Sequence, residues 1–257
     1  MKVTVRIDRL TALDSGEATA EPYLWPLFFK VDDGSFAEVL ASKITYGSLP
    51  RAVVTRRGID PDLLLQDEHR SEGAFSAPGG GHRNLPKMSS GDEVSIKRTW
   101  TTEVAEQSGL LEPGEGIVGL VVVLFEEDLF PTHGRVEDEY GRFVDAFKKR
   151  TERAISEAID RDAAGQLPFK FGFRAEKDGN ARTTFFPSAL EHELTARLKK
   201  LYRGTLIDSD DFIGACVWVR STAQLRIKPH AALSKLWTPT TGSEEGSWRL
   251  DMTISAS

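Results

Sequence analysis

The sequence predicts a mainly β protein, α+β overall, in which an antiparallel β-sandwich carries an inserted helical segment. Residues 117–125 (Ile-Val-Gly-Leu-Val-Val-Val-Leu-Phe) carry no charge and are rich in β-branched types, which is typical of a fully buried strand. Residues 3–7 alternate apolar and polar side chains, which indicates a strand with one solvated face. Residues 140–159 instead repeat apolar side chains at helical spacing. We therefore assign the sandwich to 1–128 and 205–257, and the helical insertion to 129–204.

Composition excludes several classes of protein. The chain has 257 residues and a net charge of −6, so a nucleic-acid-binding surface is not expected. Its single cysteine, Cys216, cannot form an internal disulfide and fits a reducing compartment. The first nine residues contain no apolar signal core, and no apolar run approaches the roughly 18–20 residues of a membrane span. We expect a cytoplasmic protein that meets membranes, if at all, from the periphery.

The first half of the chain reads mostly as strands. After the first strand, residues 21–31 form an aromatic, strand-like run in which Pro26 lacks an amide proton and marks an edge or a bulge. Asp32-Asp33-Gly34 has the composition of a hairpin turn. Further strands are predicted over 36–46, 52–56 and 94–104.

The insertion reads as two helices around a hairpin. The first helix carries Phe143, Phe147 and Ile155 on one stripe, and we expect this stripe to be buried, with Phe147 in the core. Membrane insertion and self-assembly through the stripe are the alternatives. A hairpin over 169–186 and a second helix over 188–204 complete the insertion, and strands over 212–220 and 248–254 then resume the sandwich.

Two acidic clusters flank the insertion. Glu126-Glu127-Asp128 follows the buried strand, and Asp208-Ser209-Asp210-Asp211 precedes the next one. Both clusters adjoin strands of the sandwich, so we expect them to meet in space at a solvated rim, with Asp128 and Asp211 within about 8 Å of each other. Carboxylates gathered without a cation would repel one another, so they hold a metal or spread into water.

With the insertion set aside, the acidic clusters resemble the calcium-dependent lipid-binding (C-two) domain of the synaptotagmin and protein kinase C type. In that family a strand ends in alternating acids, and Asp-Asp-x-Ile-Gly opens the next strand, as residues 210–214 (Asp-Asp-Phe-Ile-Gly) do here. Residues 13–16 with 21–24 (Glu-Pro-Tyr-Leu) look like the family's first loop, which ends in Asp-Pro-Tyr-Val. Residues 248–250 resemble its last strand.

The resemblance implies a calcium site and binding to an anionic phospholipid membrane. Its implied ligands are Asp14, Glu21, Glu126, Asp128, Asp208 and Asp211. Glutamates at 21 and 126 depart from the family's aspartates, and the insertion splits the third loop. The alternative hypothesis is a metal-free structural protein whose insertion contacts a protein partner or a second copy of the chain.

Catalysis has little support in the sequence. The glycines at 79–81 lack the lysine and hydroxyl residue of a phosphate-binding loop, so we interpret them as an ordinary loop. The five histidines fall in separate segments, and His192 has no second histidine at metal spacing. Cys216 has no adjacent base and is interpreted as a small core residue. We therefore expect a binding protein and no enzyme.

Overall fold

A computed structural model describes most of the sandwich and part of the predicted insertion. The residues that it describes are 1–16, 18–48, 83–105, 116–126, 142–145, 147–149, 151–153, 155–157, 159–160, 211–238 and 246–257.

The described strands form two four-stranded antiparallel sheets, which confirms the predicted β-sandwich. In chain order they are β1 (Lys2–Asp14), β2 (Pro22–Val31), β3 (Arg83–Asn84), β4 (Glu93–Glu103), β5 (Ile117–Glu126), β6 (Asp211–Ser221), β7 (His230–Trp237) and β8 (Ser247–Ala256). Sheet 1 has the order β4-β1-β8-β7, and sheet 2 has the order β3-β2-β5-β6. Two helices, α1 (Asp33–Thr45) and α2 (Thr222–Ile227), follow β2 and β6.

Sheet 1 has one buried and one solvated face. Val3, Val5 and Ile7 of β1 are fully buried, whereas the polar residues between them are partly or fully exposed. In β8, Trp248 and Leu250 are likewise buried among partly exposed polar residues. The apolar side chains of the alternating pattern therefore identify the face of this sheet that packs against sheet 2.

Sheet 2 is buried on both faces. Every residue of β2 and of β5 is buried. Leu120 and Phe28 point towards sheet 1, whereas Val121 and Phe29 belong to a second apolar cluster on the outer face. Both faces are covered by protein, which explains the uninterrupted apolar run of β5. Gly119 interrupts that run where a Cβ would lie 2.6 Å from the backbone oxygen of Trp218.

Helices cover the outer face of sheet 2. The described residues from 142 to 160 are helical, as the sequence predicts, and Phe147 is only 3% exposed, so the prediction that it is buried is confirmed. Its ring centroid lies 5.0 Å from that of Phe29. Lys43 of α1 and Asp160 form an ion pair of 2.8 Å between the two covering segments. The insertion boundaries, the hairpin and the second helix lie outside the described residues and stay predictions.

The predicted strand over 36–46 and the turn before it are wrong, because this segment is helix α1. Asp32 is its N-cap, and Asp32 and Ser35 bond reciprocally in a capping box. Phe36, Leu40 and Ile44 recur every four residues and are buried against sheet 2. The strand predicted over 52–56 lies outside the described residues.

Pro26 lies within β2, and the lack of an amide proton restricts where a proline can pair in a sheet. It is in register with Val122 of β5. On its other side, β2 pairs with β3 only at Tyr23 and Leu24 among the described residues.

The two ends of the sandwich differ in what they carry. At the acidic end, β1 and β5 terminate and β2, β6 and β8 begin, as the pairings of Asp14 with Ser247 and of Glu126 with Pro22 and Asp211 define. At the α2 end, β5 begins and β6 passes into α2. In the described part of the chain, no helix is long and apolar enough to cross a membrane.

Candidate functional site at the acidic end

Strand termini from both sheets build the acidic end. Glu126 is the last residue of β5 and stands opposite Asp211, the first residue of β6. On the other side of β5, Glu126 stands opposite Pro22, and Glu21 directly precedes that proline. Asp14 ends β1 in the other sheet, at the start of the loop that leads to β2. The structure therefore brings the backbones of four predicted site residues to one end of the sandwich.

Asp14 is held by a second loop, between β3 and β4. Its Oδ1 accepts a hydrogen bond of 3.1 Å from the Gly16 amide and one of 3.4 Å from the Ser90 hydroxyl. Ser90 Oγ also accepts a 3.0 Å bond from the Ser15 amide. The Asp14 side chain is exposed, so these bonds orient a carboxylate that remains open to water.

Glu21 forms an ion pair with Lys87, which lies in the same β3–β4 loop. Hydrogen bonding to Glu21, followed by the attraction between their charges, raises the pKa of Lys87. Both side chains are substantially exposed, so the pair contributes little to stability. The ion pair does affect cation binding, because a cation that binds Glu21 must compete with the ammonium group of Lys87.

Glu126 corrects one expectation. A rim carboxylate was predicted to be solvated, whereas Glu126 is only 3% exposed. It is the last of ten consecutive buried residues in β5, because the covered face of sheet 2 extends to the end of the strand. Desolvation of a carboxylate disfavours its charged form unless charged or hydrogen-bonding groups compensate.

The remaining site residues are only partly described. Asp128 and Asp208 lie outside the described residues, and so does the side chain of Asp211. The predicted approach of Asp128 to Asp211 therefore stays a prediction. The two clusters nonetheless adjoin residues that are in register, since Glu126 and Asp211 stand opposite each other.

The described carboxylates do not make a complete calcium shell. Calcium takes about six to eight oxygen ligands. In the part of the chain that the structure describes, no three histidine, cysteine, aspartate or glutamate side chains lie close enough together to hold a metal. A calcium site at the acidic end would thus depend on Asp128, Asp208 and the carboxylate of Asp211.

Sequence reasoning missed three residues of this end. Lys87 and Ser90, which contact the predicted ligands, belong to a loop for which no structure was predicted. The turn-forming run Ser89-Ser90-Gly91-Asp92 is the signal that could have located it. Leu13 is a large apolar side chain that is 45% exposed directly beside Asp14.

The comparisons with known proteins are sparse. No family model and no curated protein matches the chain. Among solved structures, the chain is similar to the C2-A domain of plant Extended Synaptotagmin 1, with 8% identity, coverage of 98% of this chain and 91% of that one, and a TM-score of 0.27. It is also similar to human GIVD cytosolic phospholipase A2, with 9% identity, coverage of 99% of this chain and 15% of that one, and a TM-score of 0.29.

Identities and TM-scores this low carry no information about ligand or activity. The two sheets themselves establish what kind of fold this is: an antiparallel β-sandwich.

Proposed function

We propose that the protein binds anionic phospholipid membranes through the acidic end of its sandwich, and that calcium promotes this binding. The observation that carries the proposal is the convergence of Asp14, Glu21, Glu126 and Asp211 at the ends of strands from both sheets. Oxygen-rich loops at one end of a rigid sandwich suit a hard cation of this size. The loop motifs resemble a calcium-dependent lipid-binding family, which supports the same assignment.

Calcium would act here by changing charge. The protein carries a net charge of −6, and the carboxylates gathered at its acidic end are repelled by an anionic bilayer. Cations held among the carboxylates would cancel that repulsion locally, within the screening length of roughly 8 Å at physiological salt. Leu13, exposed beside Asp14, supplies an apolar side chain that can enter the interface once the repulsion is removed.

A second candidate function is that of a metal-free interaction protein. The observation in its favour is that protein groups at the same end satisfy two of the carboxylates: Lys87 forms an ion pair with Glu21, and the Ser90 hydroxyl donates a hydrogen bond to Asp14. Self-assembly through the apolar stripe of the insertion is less attractive, because Phe143, Phe147 and Ile155 are buried against sheet 2. Under this reading the acidic end is a solvated surface, and the chain acts as a binding module with no catalytic role.

Calorimetric titration with calcium tests the proposal. We expect the unmodified chain to bind calcium, and we expect Asp14→Asn and Asp211→Asn each to weaken binding by about tenfold or more, since each removes a charged ligand. The matched control is Glu38→Gln, which removes an exposed carboxylate from α1. A flat titration of the unmodified chain would contradict the calcium site and leave the metal-free function. Equal affinities of the control and the two site variants would contradict these ligands.

A further inference from the structure

The α2 end carries a second exposed surface that the acidic end does not explain. We call residues 226–228 (Arg-Ile-Lys) the α2 tip. Ile227 is 88% exposed, the largest exposure among the large apolar side chains that the structure describes. Arg226 and Lys228 flank it and are exposed as well. The α2 tip therefore presents one apolar side chain to solvent between two positive charges.

The α2 tip is presented by a rigid base. Ser221 caps α2, and it bonds reciprocally with Gln224 in a capping box. Thr222 is fully buried and Leu225 is 1% exposed in the core between the sheets. The Lys228 amide closes the turn on the Gln224 carbonyl at 2.9 Å. The fold therefore anchors this turn from below and still leaves Ile227 in solvent.

Arg220, which directly precedes the cap, adds positive charge at the same end. Its guanidinium lies 5.4 Å from the ring centroid of Trp218 and donates to the Val219 carbonyl at 3.1 Å. Partial burial lowers its pKa. Among the described residues, no carboxylate lies within ion-pair distance of Arg220 or of Lys228.

Several other described arginines form ion pairs with described acids. Arg6 pairs with Asp8, Arg9 with both Glu93 and Asp251, and Arg153 with Glu157. Glu103, an exposed acid at the end of β4, stands opposite Lys2 in the β1–β4 ladder. Arg220 and Lys228 thus retain donors that an external anion can satisfy.

We propose that the α2 tip is a docking site for an anionic phospholipid bilayer and that it acts without calcium. Ile227 enters the interfacial region, while Arg226 and Lys228 contact the phosphate and carboxylate groups around it. One protruding side chain ringed by cations suits a fluid surface. A protein partner would instead need a contiguous patch of about 800 Å² on this side.

Vesicle sedimentation in a calcium chelator tests the site. The intact chain is mixed with phosphatidylcholine vesicles that contain either no phosphatidylserine or about a quarter of it. We expect binding only to the anionic vesicles, and we expect it to weaken as salt rises. Exchanging Lys228 for glutamine should weaken binding by about fivefold, since each cation near an anionic surface contributes about that much.

The decisive variant is Ile227→Asp, which should abolish chelator-resistant binding without unfolding the domain, because the side chain is already in water. Its matched control is Tyr46→Asp, which places the same charge at a side chain that is 83% exposed at the end of α1. Tyr46→Asp should bind normally. Unchanged binding by Ile227→Asp, equal losses in both variants, or no chelator-resistant binding by the unmodified chain would each overturn the proposal.

The same assay separates this site from the acidic end. If Ile227→Asp removes chelator-resistant binding and the calcium-dependent increment is absent, the α2 tip stands and the calcium proposal fails. If the increment is present but no binding occurs in chelator, the acidic end stands and the α2 tip fails. Equal binding to neutral and anionic vesicles would contradict the charge-based recognition proposed for the α2 tip.

Discussion

Phe147→Ala is expected to lower the free energy of unfolding by about 3–5 kcal/mol, the usual range for deleting a buried aromatic side chain. Phe147 is 3% exposed, and its ring packs at 5.0 Å, centroid to centroid, against Phe29 of β2. Its removal opens a cavity between the helical segment and a sheet that has no solvated face. Denaturant unfolding of the variant beside the unmodified chain measures the difference.

The control for this prediction is Lys148→Ala, an exposed position on the same segment, which should change stability by less than about 0.5 kcal/mol. A melt of Phe147→Ala that is unchanged within error, together with lost association or lost vesicle binding, would contradict the account. It would make the apolar stripe a contact surface for a partner or a bilayer, and it would make the insertion the functional element.

Asp32→Ala is expected to cost a similar amount, about 3–5 kcal/mol, because it leaves a buried ammonium group without its counter-ion. Asp32 is fully buried, and its Oδ2 lies 3.0 Å from Lys30 Nζ and accepts a 3.0 Å bond from the Ala105 amide. Its Oδ1 accepts a 3.1 Å bond from the Ser35 amide at the start of α1. One carboxylate therefore joins β2, α1 and the chain that leaves β4.

A double variant separates the cap from the charge. Lys30→Met with Asp32→Ser removes both charges and keeps a good capping side chain, so it should recover much of the lost stability. Thermal or denaturant unfolding of the two variants gives the comparison. A cost below about 1 kcal/mol for Asp32→Ala would contradict the claim that the Lys30–Asp32 pair is buried and coupled.

The strands could be predicted because the burial of a strand determines its pattern of apolar and polar residues. One buried face produces the alternation of β1 and β8, and two buried faces produce the continuous apolar run of β5. The helical spacing of Phe143 and Phe147 indicated a buried stripe in the same way. That α1 and this segment share the outer face of sheet 2 depends on tertiary packing, which no local pattern specifies.

Helix α1 was not predicted because the residues at its start resemble a turn. Asp32-Asp33-Gly34 has turn composition, and the capping box that it starts uses Ser35 in place of the usual Glu or Gln. Edge strand β7 was not predicted either, since the apolar positions of its alternating pattern are only partly buried. Edge strands carry a weaker pattern because fewer of their side chains face a neighbour.

The sequence was sufficient to predict where the candidate site lies, but it was not sufficient to predict which side chains its residues contact. Acids at the ends of strands that pair must lie at one end of a sheet, which is how Glu126 and Asp211 could be expected to meet. The ion pair between Lys87 and Glu21 depends on a loop whose path the sequence does not specify. The burial of Glu126 depends on how far the covering layer extends along sheet 2.

Calcium-dependent sedimentation with anionic vesicles tests the central claim most directly. The account predicts that phosphatidylserine-containing vesicles retain more of the chain in calcium than in chelator. This increment should persist in Ile227→Asp and disappear in Asp14→Asn, whose carboxylate lies at the acidic end beside the exposed Leu13. Equal fractions bound in calcium and in chelator would contradict the claim, provided that a cooperative unfolding transition shows the chain to be folded.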